Sequence, residues 1–218
     1  FNRVCDNIRH MVILKREKKS NCTVGMQMVF KPDYEDQLIP LAQLALDLEA
    51  DYLIIKHCSD DEFHTLGVDY GGYEKCYERL KEAEALSTNR TAIRVKWSKI
   101  RECTKDGAIR SYQRCYGTPF LLQISGTGLV APCGMLFNER YEDYHMGNIT
   151  ERRFMDIWKS DRYWRIVDHL ASESFNAQTM CGSLCLQHSV NKYLDGYKKG
   201  EIALVEPQGE KPPHLEFV

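Results

Sequence analysis

The chain has 218 residues, 43% hydrophobic and 28% charged, with a net charge of -2. That is room for one large domain or two small ones, in the balance of an ordinary soluble protein. The near-zero charge gives no global sign of binding to nucleic acid or a membrane surface. No apolar run is long enough to span a bilayer, and no secretory signal opens the chain. Nine cysteines is a high and odd count, which argues against a secreted disulfide scaffold and for a cytoplasmic protein that uses some of its thiols for metal. The Asn-x-Thr triplets at Asn21, Asn89 and Asn148 carry no weight without a signal peptide. The chain starts at Phe1 and runs at once into helix, as expected of a piece of a longer protein.

In chain order, residues Val4 to Lys18 read as helix through Val4, Ile8, Met11, Val12 and Leu14. Thr23 to Phe30 reads as a buried strand that Pro32 and Asp33 break. Leu38, Leu41, Ala42, Ala45 and Leu48 predict a helix from about Asp36 to Glu49, with Pro40 tolerable only near its start. A strand follows at Asp51 to Lys56, then the polar loop HCSDDEFHTLGVDYGG. The helix YEKCYERLKEAEAL shows Tyr73, Cys76, Tyr77, Leu80 and Ala83 on one face, and Thr91 to Trp97 is a third strand. This alternation predicts an α/β fold of parallel strands with crossover helices.

One face of these strands carries Met26, Met28, Phe30, Leu53, Ile55, Ile93, Val95 and Trp97, and should meet the helices. The other carries Gln27, Lys56, Arg94 and Lys96, which either line a concave polar interior or simply reach solvent at strand ends.

From Ser98 to Arg114 the chain is a polar, basic connector. Residues 115–133, CYGTPFLLQISGTGLVAPC, read as a hairpin turning at Gly126 to Gly128. After the loop NERYEDYH, Gly147 marks a turn, Thr150 is a predicted N-cap and Glu151 lies in the first helical turn, with Phe154, Ile157 and Trp158 on one face. A helix from about Asp161 to Ala171 should point Trp164, Val167 and Leu170 inward. Then come SESFNAQTM, CGSLC, the short helix HSVNKYLDGYKK and a Pro-rich tail.

Four cysteines stand out. A hairpin sets Cys115 and Cys133 side by side at its open end, and the C-x-x-x-C of Cys181 and Cys185 supplies a second pair. Four thiolates in a rough tetrahedron bind zinc or an iron–sulfur cluster. Zinc ribbons usually use two tight C-x-x-C knuckles, whereas the open hairpin pair suits a wider object such as a cubane cluster. Cys5, Cys22, Cys58, Cys76 and Cys103 read as small core residues or idle thiols.

The run Cys115, Gly128, Cys133, then GNI-x4-F-x2-IW from Gly147 to Trp158, then CGSLC followed by Asn191, resembles the C-terminal SPASM/twitch extension of radical S-adenosylmethionine enzymes. Thr23 to Trp97 resembles the last three strands of their partial (β/α)6 barrel. The resemblance implies a half β/α barrel over residues 1–97, a connector at 98–114, a small α+β SPASM/twitch-like domain at 115–198 and an irregular tail at 199–218. The chain lacks the further cysteines of two-cluster SPASM domains. The shorter twitch form is therefore implied, with one auxiliary 4Fe–4S cluster on Cys115, Cys133, Cys181 and Cys185 serving electron transfer or structure.

The departures are as informative. The family's catalytic C-x3-C-x2-C loop is absent from this sequence, so the chain alone is expected to be inactive. S-adenosylmethionine and a second 4Fe–4S cluster belong to a complete parent enzyme, in whose barrel Gln27, Lys56, Arg94 and Lys96 would face the cofactor and a small-molecule or peptide substrate. The strand at 23–30 is expected to be covered by the missing half-barrel or by a second copy of the chain. The competing reading is a four-cysteine zinc scaffold without redox chemistry. Ser59 to Asp61 and the aromatic stretch Tyr70 to Tyr73 are either a lid or a solvated surface, and His57, His64 and His145 are possible acid–base groups.

Overall fold

A computed structural model describes residues 1–60, 63, 65–104, 107–108, 110–181, 185–206 and 208–209. The expectations for Asp61, His64, Gly182 and the tail from 210 onward lie outside those residues, as does the side chain of Cys103. The chain divides into two units, Phe1–Ile109 and Arg110–Val218. No helix among the described residues is long and apolar enough to cross a membrane.

The first unit runs helix α1 (Asn2–Glu17), strand β1 (Gly25–Phe30), helix α2 (Leu38–Asp47), β2 (Tyr52–His57), α3 (Tyr77–Ala85), β3 (Ala92–Val95), α4 (Trp97–Arg101) and a small antiparallel pair, β4 (Cys103–Thr104) with β5 (Gly107–Ala108). Strands β1, β2 and β3 pair in parallel in that order, with Gly25 opposite Tyr52 and Tyr52 opposite Ala92. This unit is therefore mixed α/β around a three-stranded parallel sheet.

Asp51 fixes where the sheet begins. Its carboxylate accepts from Lys15 Nζ (2.5 Å) and Val24 N (2.6 Å), and its own N–H donates to Val24 O (2.7 Å). One residue thus ties α1 and the entries of β1 and β2 together. Phe30, Leu53, Ile55 and Ile93 are fully buried, as are Leu38, Ala42, Leu80 and Ala83 of the helices, which is the apolar face meeting its cover. On the other face Gln27, Val29 and Arg94 are exposed and Lys56 and Lys96 half-buried.

The two sheet edges differ. Ser87 Oγ accepts from Ile93 N (3.0 Å) and donates to Ile93 O (3.1 Å), while Glu84 accepts from Val95 N (2.9 Å) and Trp97 Nε1 (2.8 Å). Side chains around α3 therefore occupy the outer edge of β3. This is also why Trp97 starts α4 instead of continuing the strand as expected. On the outer side of β1 no strand pairs among the described residues.

Two expectations are corrected here. The helix expected from Asp36 begins at Leu38, after a 3-10 turn over Pro32–Gln37. A start at Asp36 would ask Pro40 for an N–H it lacks, whereas a start at Leu38 puts Pro40 in the first turn, where none is needed. The stretch Tyr70 to Tyr73 is not a solvated surface. It lies in a 3-10 turn, Tyr70–Cys76, with both tyrosines buried. Tyr73 Oη donates to Phe30 O (2.7 Å) and accepts from Cys58 N (2.8 Å), joining the carboxyl ends of β1 and β2. Tyr70 Oη accepts from Asp60 N (2.7 Å), and the buried Asp60 carboxylate accepts from Leu66 N and Val68 N. Tyr73→Phe should cost about 1–3 kcal/mol by leaving buried polar groups short of a partner, read as a lower urea midpoint with unchanged slope.

In the second unit, β6 (Gln123–Ile124), β7 (Leu129–Ala131) and β8 (Gly147–Asn148) form an antiparallel sheet, followed by α5 (Phe154–Trp158), α6 (Asp161–Ala171), α7 (Ala177–Met180) and α8 (His188–Lys198). The β6–β7 turn closes at Gly128, whose φ of +83 and approach to Asn148 Oδ1, 2.6 Å from where a Cβ would sit, both demand glycine. Its core comprises Tyr112, Val130, Met146, Ile157, Tyr163, Ile166, Val167, Leu170, Phe175 and Ala177.

Thr150 is not an N-cap. Asn148 Oδ1 takes both its N–H (2.9 Å) and its hydroxyl (2.8 Å), locking a turn, so the helix starts later with Arg153 as its N-cap and Asp156, not Glu151, in its first turn. Trp164 is 40% exposed and does not point inward; it packs edge-on against Trp158 and Tyr163 at 5.5 and 5.2 Å. The loop NERYEDYH is mostly a 3-10 turn, Glu139–Tyr144.

Candidate metal centre

Each cysteine of the quartet is set by its own local device. Cys115 precedes β6 and is anchored where its N–H donates to Leu170 O (2.9 Å) at the end of α6. Cys133 follows β7 and leads into a 3-10 turn, Gly134–Phe137, where the Leu136 amide donates to the Cys133 carbonyl (3.1 Å) and the backbone of Met135 and Leu136 favours the thiolate. Cys181 ends α7 and packs with Cys115 against the core of this unit. Cys185 leads into α8, its carbonyl accepting from His188 N (3.2 Å). All four are free thiols and half-buried.

A buried side chain from outside the folded-back ribbon spans its open end. Gln187, 2% exposed, donates through Nε2 to Leu121 O and to Pro132 O (2.7 Å), spanning the open end of the hairpin just before Cys133. Its Oε1 accepts from Cys115 Sγ (3.1 Å). Asn191, 1% exposed, accepts through Oδ1 from Tyr116 N and Gly117 N, both at 2.7 Å, and donates from Nδ2 to Cys115 Sγ (3.5 Å). Gly117 has no room for a side chain, since a Cβ would lie 2.8 Å from Gln187 Cβ.

The four thiols share one electrostatic neighbourhood. Burial pushes the Cys133 thiol up to about 11, and Cys185 and Cys115 push the same way. Burial pushes Cys181 up to about 12 against the nearby Arg110 cation, with Cys185, Cys115 and Cys133 adding to the rise. Among the described residues no three His, Cys, Asp or Glu side chains gather tightly enough to hold a metal ion. As a donor set the quartet fits an iron–sulfur cluster. Burial disfavours the thiolates of Cys133 and Cys181, so these two need a positive centre beside them to ionise. The Asn191 carboxamide already aims an N–H at the Cys115 sulfur, and the charge of Arg110 favours the Cys181 thiolate. Gln187 and Arg110 escaped the sequence reading, because neither a polar residue beside a helix start nor a lone arginine stands out by spacing.

The other named residues sit in the first unit. Gln27, Ile54 and Arg94 are in register across the sheet, with Lys56 one pleat further on. Burial and the neighbouring Lys96 both lower the pKa of Lys56, so the structure brings these two lysines together. His57 ends β2 with Nε2 2.9 Å from Ser59 Oγ and a buried Nδ1 that has no partner among the described residues. His145 Nε2 faces Leu136 O at 2.8 Å.

The His57 imidazole is lowered to about 4, first by burial and then by Lys99 and Lys56. The unfolded chain therefore binds a proton between pH 6.5 and about 4 that the folded chain refuses. Stability should fall as pH drops through that window, by on the order of 3 kcal/mol in full, and be untouched above it. Melting temperatures from pH 4 to 8 should follow this slope, and His57→Gln should flatten it.

Residues 115–185 match the family profile of SPASM, an iron–sulfur cluster-binding domain. The matched segment opens on Cys115 and closes on Cys185. Among solved structures the chain is similar to "Crystal structure of SeMet BtrN in an OPEN conformation", at 16% identity over 74% of this chain and 71% of that one, with a TM-score of 0.27. At that score the likeness bears on neither fold nor chemistry. No curated protein matches the chain.

Proposed function

We propose that this chain is the C-terminal portion of a radical S-adenosylmethionine enzyme, and that Cys115, Cys133, Cys181 and Cys185 hold an auxiliary 4Fe–4S cluster. The observation that carries the reading is that the segment matching an iron–sulfur cluster-binding family opens on Cys115 and closes on Cys185, with Cys115 and Cys181 packed against one core and Gln187 joining Cys115 to the chain just before Cys133. When bound, the cluster supplies a one-electron donor or acceptor. With every iron held by a thiolate there is no open site for substrate, so the role is electron transfer or structure. The chain's own residues do the rest. Gln187 closes the hairpin, the amides after Cys133 stabilise its thiolate, and Arg110 offsets part of the accumulated negative charge.

The parallel strands with crossover helices are proposed as part of a β/α barrel over residues 1–97, followed by the twitch-like domain. The edge asymmetry favours further strands on the side of β1, since the outer edge of β3 already has its partners. Those strands would come from the remainder of the parent or from a second copy. In the parent, Gln27, Lys56, Arg94 and Lys96 would face S-adenosylmethionine and substrate.

The test is anaerobic reconstitution with iron and sulfide, followed by metal analysis and electron paramagnetic resonance. About four irons per chain, with an axial or rhombic signal on reduction, supports the reading. Colourless protein with one tightly held zinc overturns it in favour of the scaffold.

A further inference from the structure

The side chain of Asn191 is committed at both of its acceptor positions and at one of its two donor positions. A carboxamide offers two lone pairs on oxygen and two hydrogens on nitrogen. Both acceptor positions are used by backbone amides, those of Tyr116 and Gly117 at 2.7 Å each. One hydrogen goes to Cys115 Sγ at 3.5 Å. Exchanging oxygen and nitrogen would aim an NH2 group at two N–H donors, so the amide has one possible orientation and its nitrogen must face the sulfur.

The group is also held rigidly. Asn191 lies on α8, its N–H donating to Gln187 O (2.8 Å), and it is almost wholly buried. Its two acceptor bonds grip the backbone directly after Cys115. The donor and the sulfur it serves are therefore fixed to the same short turn, and cannot drift apart without breaking buried hydrogen bonds. A donor so placed costs no reorganisation when the electron density on sulfur changes.

We infer that Asn191 is a positioning residue for the iron–sulfur cluster, donating to the Cys115 sulfur so as to raise the reduction potential of the centre. This rests on the cluster reading of Cys115 above. An N–H directed at a ligating sulfur withdraws electron density from it and stabilises the more negative, reduced state of the cluster. The Tyr116 and Gly117 amides do not substitute for it, because they are spent on the Asn191 oxygen. Removing the donor while keeping that oxygen should leave the loop in place and shift only the electronics.

The experiment uses the whole chain, reconstituted with iron and sulfide, and measures iron first. A wild-type chain that takes up no iron overturns the cluster reading and this inference together. With iron bound, Asn191→Asp keeps an oxygen for the two amides and loses the donor. Unchanged iron content with a midpoint potential shifted to more negative values is the expected result, and an unchanged potential in a loaded variant overturns the inference. In parallel, wild-type protein carrying 15N in its asparagine side chains is examined by electron–nuclear double resonance of the reduced cluster. A nitrogen or exchangeable-proton coupling from a side-chain amide is expected. Its absence from the wild-type spectrum overturns the inference whether or not the variant loads.

Discussion

Replacing Cys133 by alanine is expected to take the iron content of anaerobically reconstituted protein from about four per chain to near zero. The same holds for Cys115, Cys181 and Cys185. A cubane with four thiolate ligands loses a corner when one is removed, and the remaining three must neutralise the same cluster with less charge. The protein itself should survive the change. The core of the second unit is ten apolar or aromatic side chains, and Cys115 and Cys181 only pack against its rim. Circular dichroism should thus remain native-like while the visible charge-transfer absorption disappears. A variant that retains four irons sinks the assignment of that cysteine. A variant that unfolds outright while zinc accompanies the wild type favours the scaffold reading.

The second large effect is expected at a residue that touches no metal in the proposal. Gln187→Leu fills nearly the same volume but withdraws Nε2 from Leu121 O and Pro132 O. Two carbonyls at the open end of the hairpin then lose a buried partner, which should cost about 3 kcal/mol at about 1–3 kcal/mol for each unsatisfied group. The arms carrying Cys115 and Cys133 would also be free to part. Lower melting temperature and lower iron occupancy should therefore appear together, whereas Cys133→Ala lowers occupancy with the fold largely kept. Guanidinium melts of the apo and reconstituted forms measure both. A variant as stable as wild type would show that the hairpin mouth is held by its own strand pairing.

The parts of the molecule that repeat were legible in the sequence. Alternation along Met26, Met28 and Phe30, then Leu53 and Ile55, then Ile93 and Val95 identified three strands and the face they bury, because period-two burial leaves a period-two pattern. The turn at Gly126 to Gly128 was readable for a similar reason, since only glycine accepts the backbone at Gly128. What escaped depends on single contacts across long separations. Nothing local distinguishes a Thr150 that caps a helix from one whose N–H is already held by Asn148. Trp164 belongs to the apolar stripe of α6 by spacing, yet its ring lies over Trp158 and Tyr163 at the rim. Of the site, the four cysteines were visible because thiols are rare and their spacing is conspicuous. The two carboxamides that organise them were not: Gln187 was passed over, and Asn191 entered only through the resemblance, with no role.

The bonds from Gln187 and Asn191 to Cys115 close loops of 72 and 76 residues. A ribosome adds about 5–20 residues per second. Cys115 therefore leaves the exit tunnel roughly 4–15 seconds before the helix that fixes it. Throughout that interval the hairpin has no clasp at its mouth. Assembly of any inorganic centre is thereby deferred until after α8 has been synthesised, and a nascent chain stalled short of residue 187 should remain refractory to cluster donors.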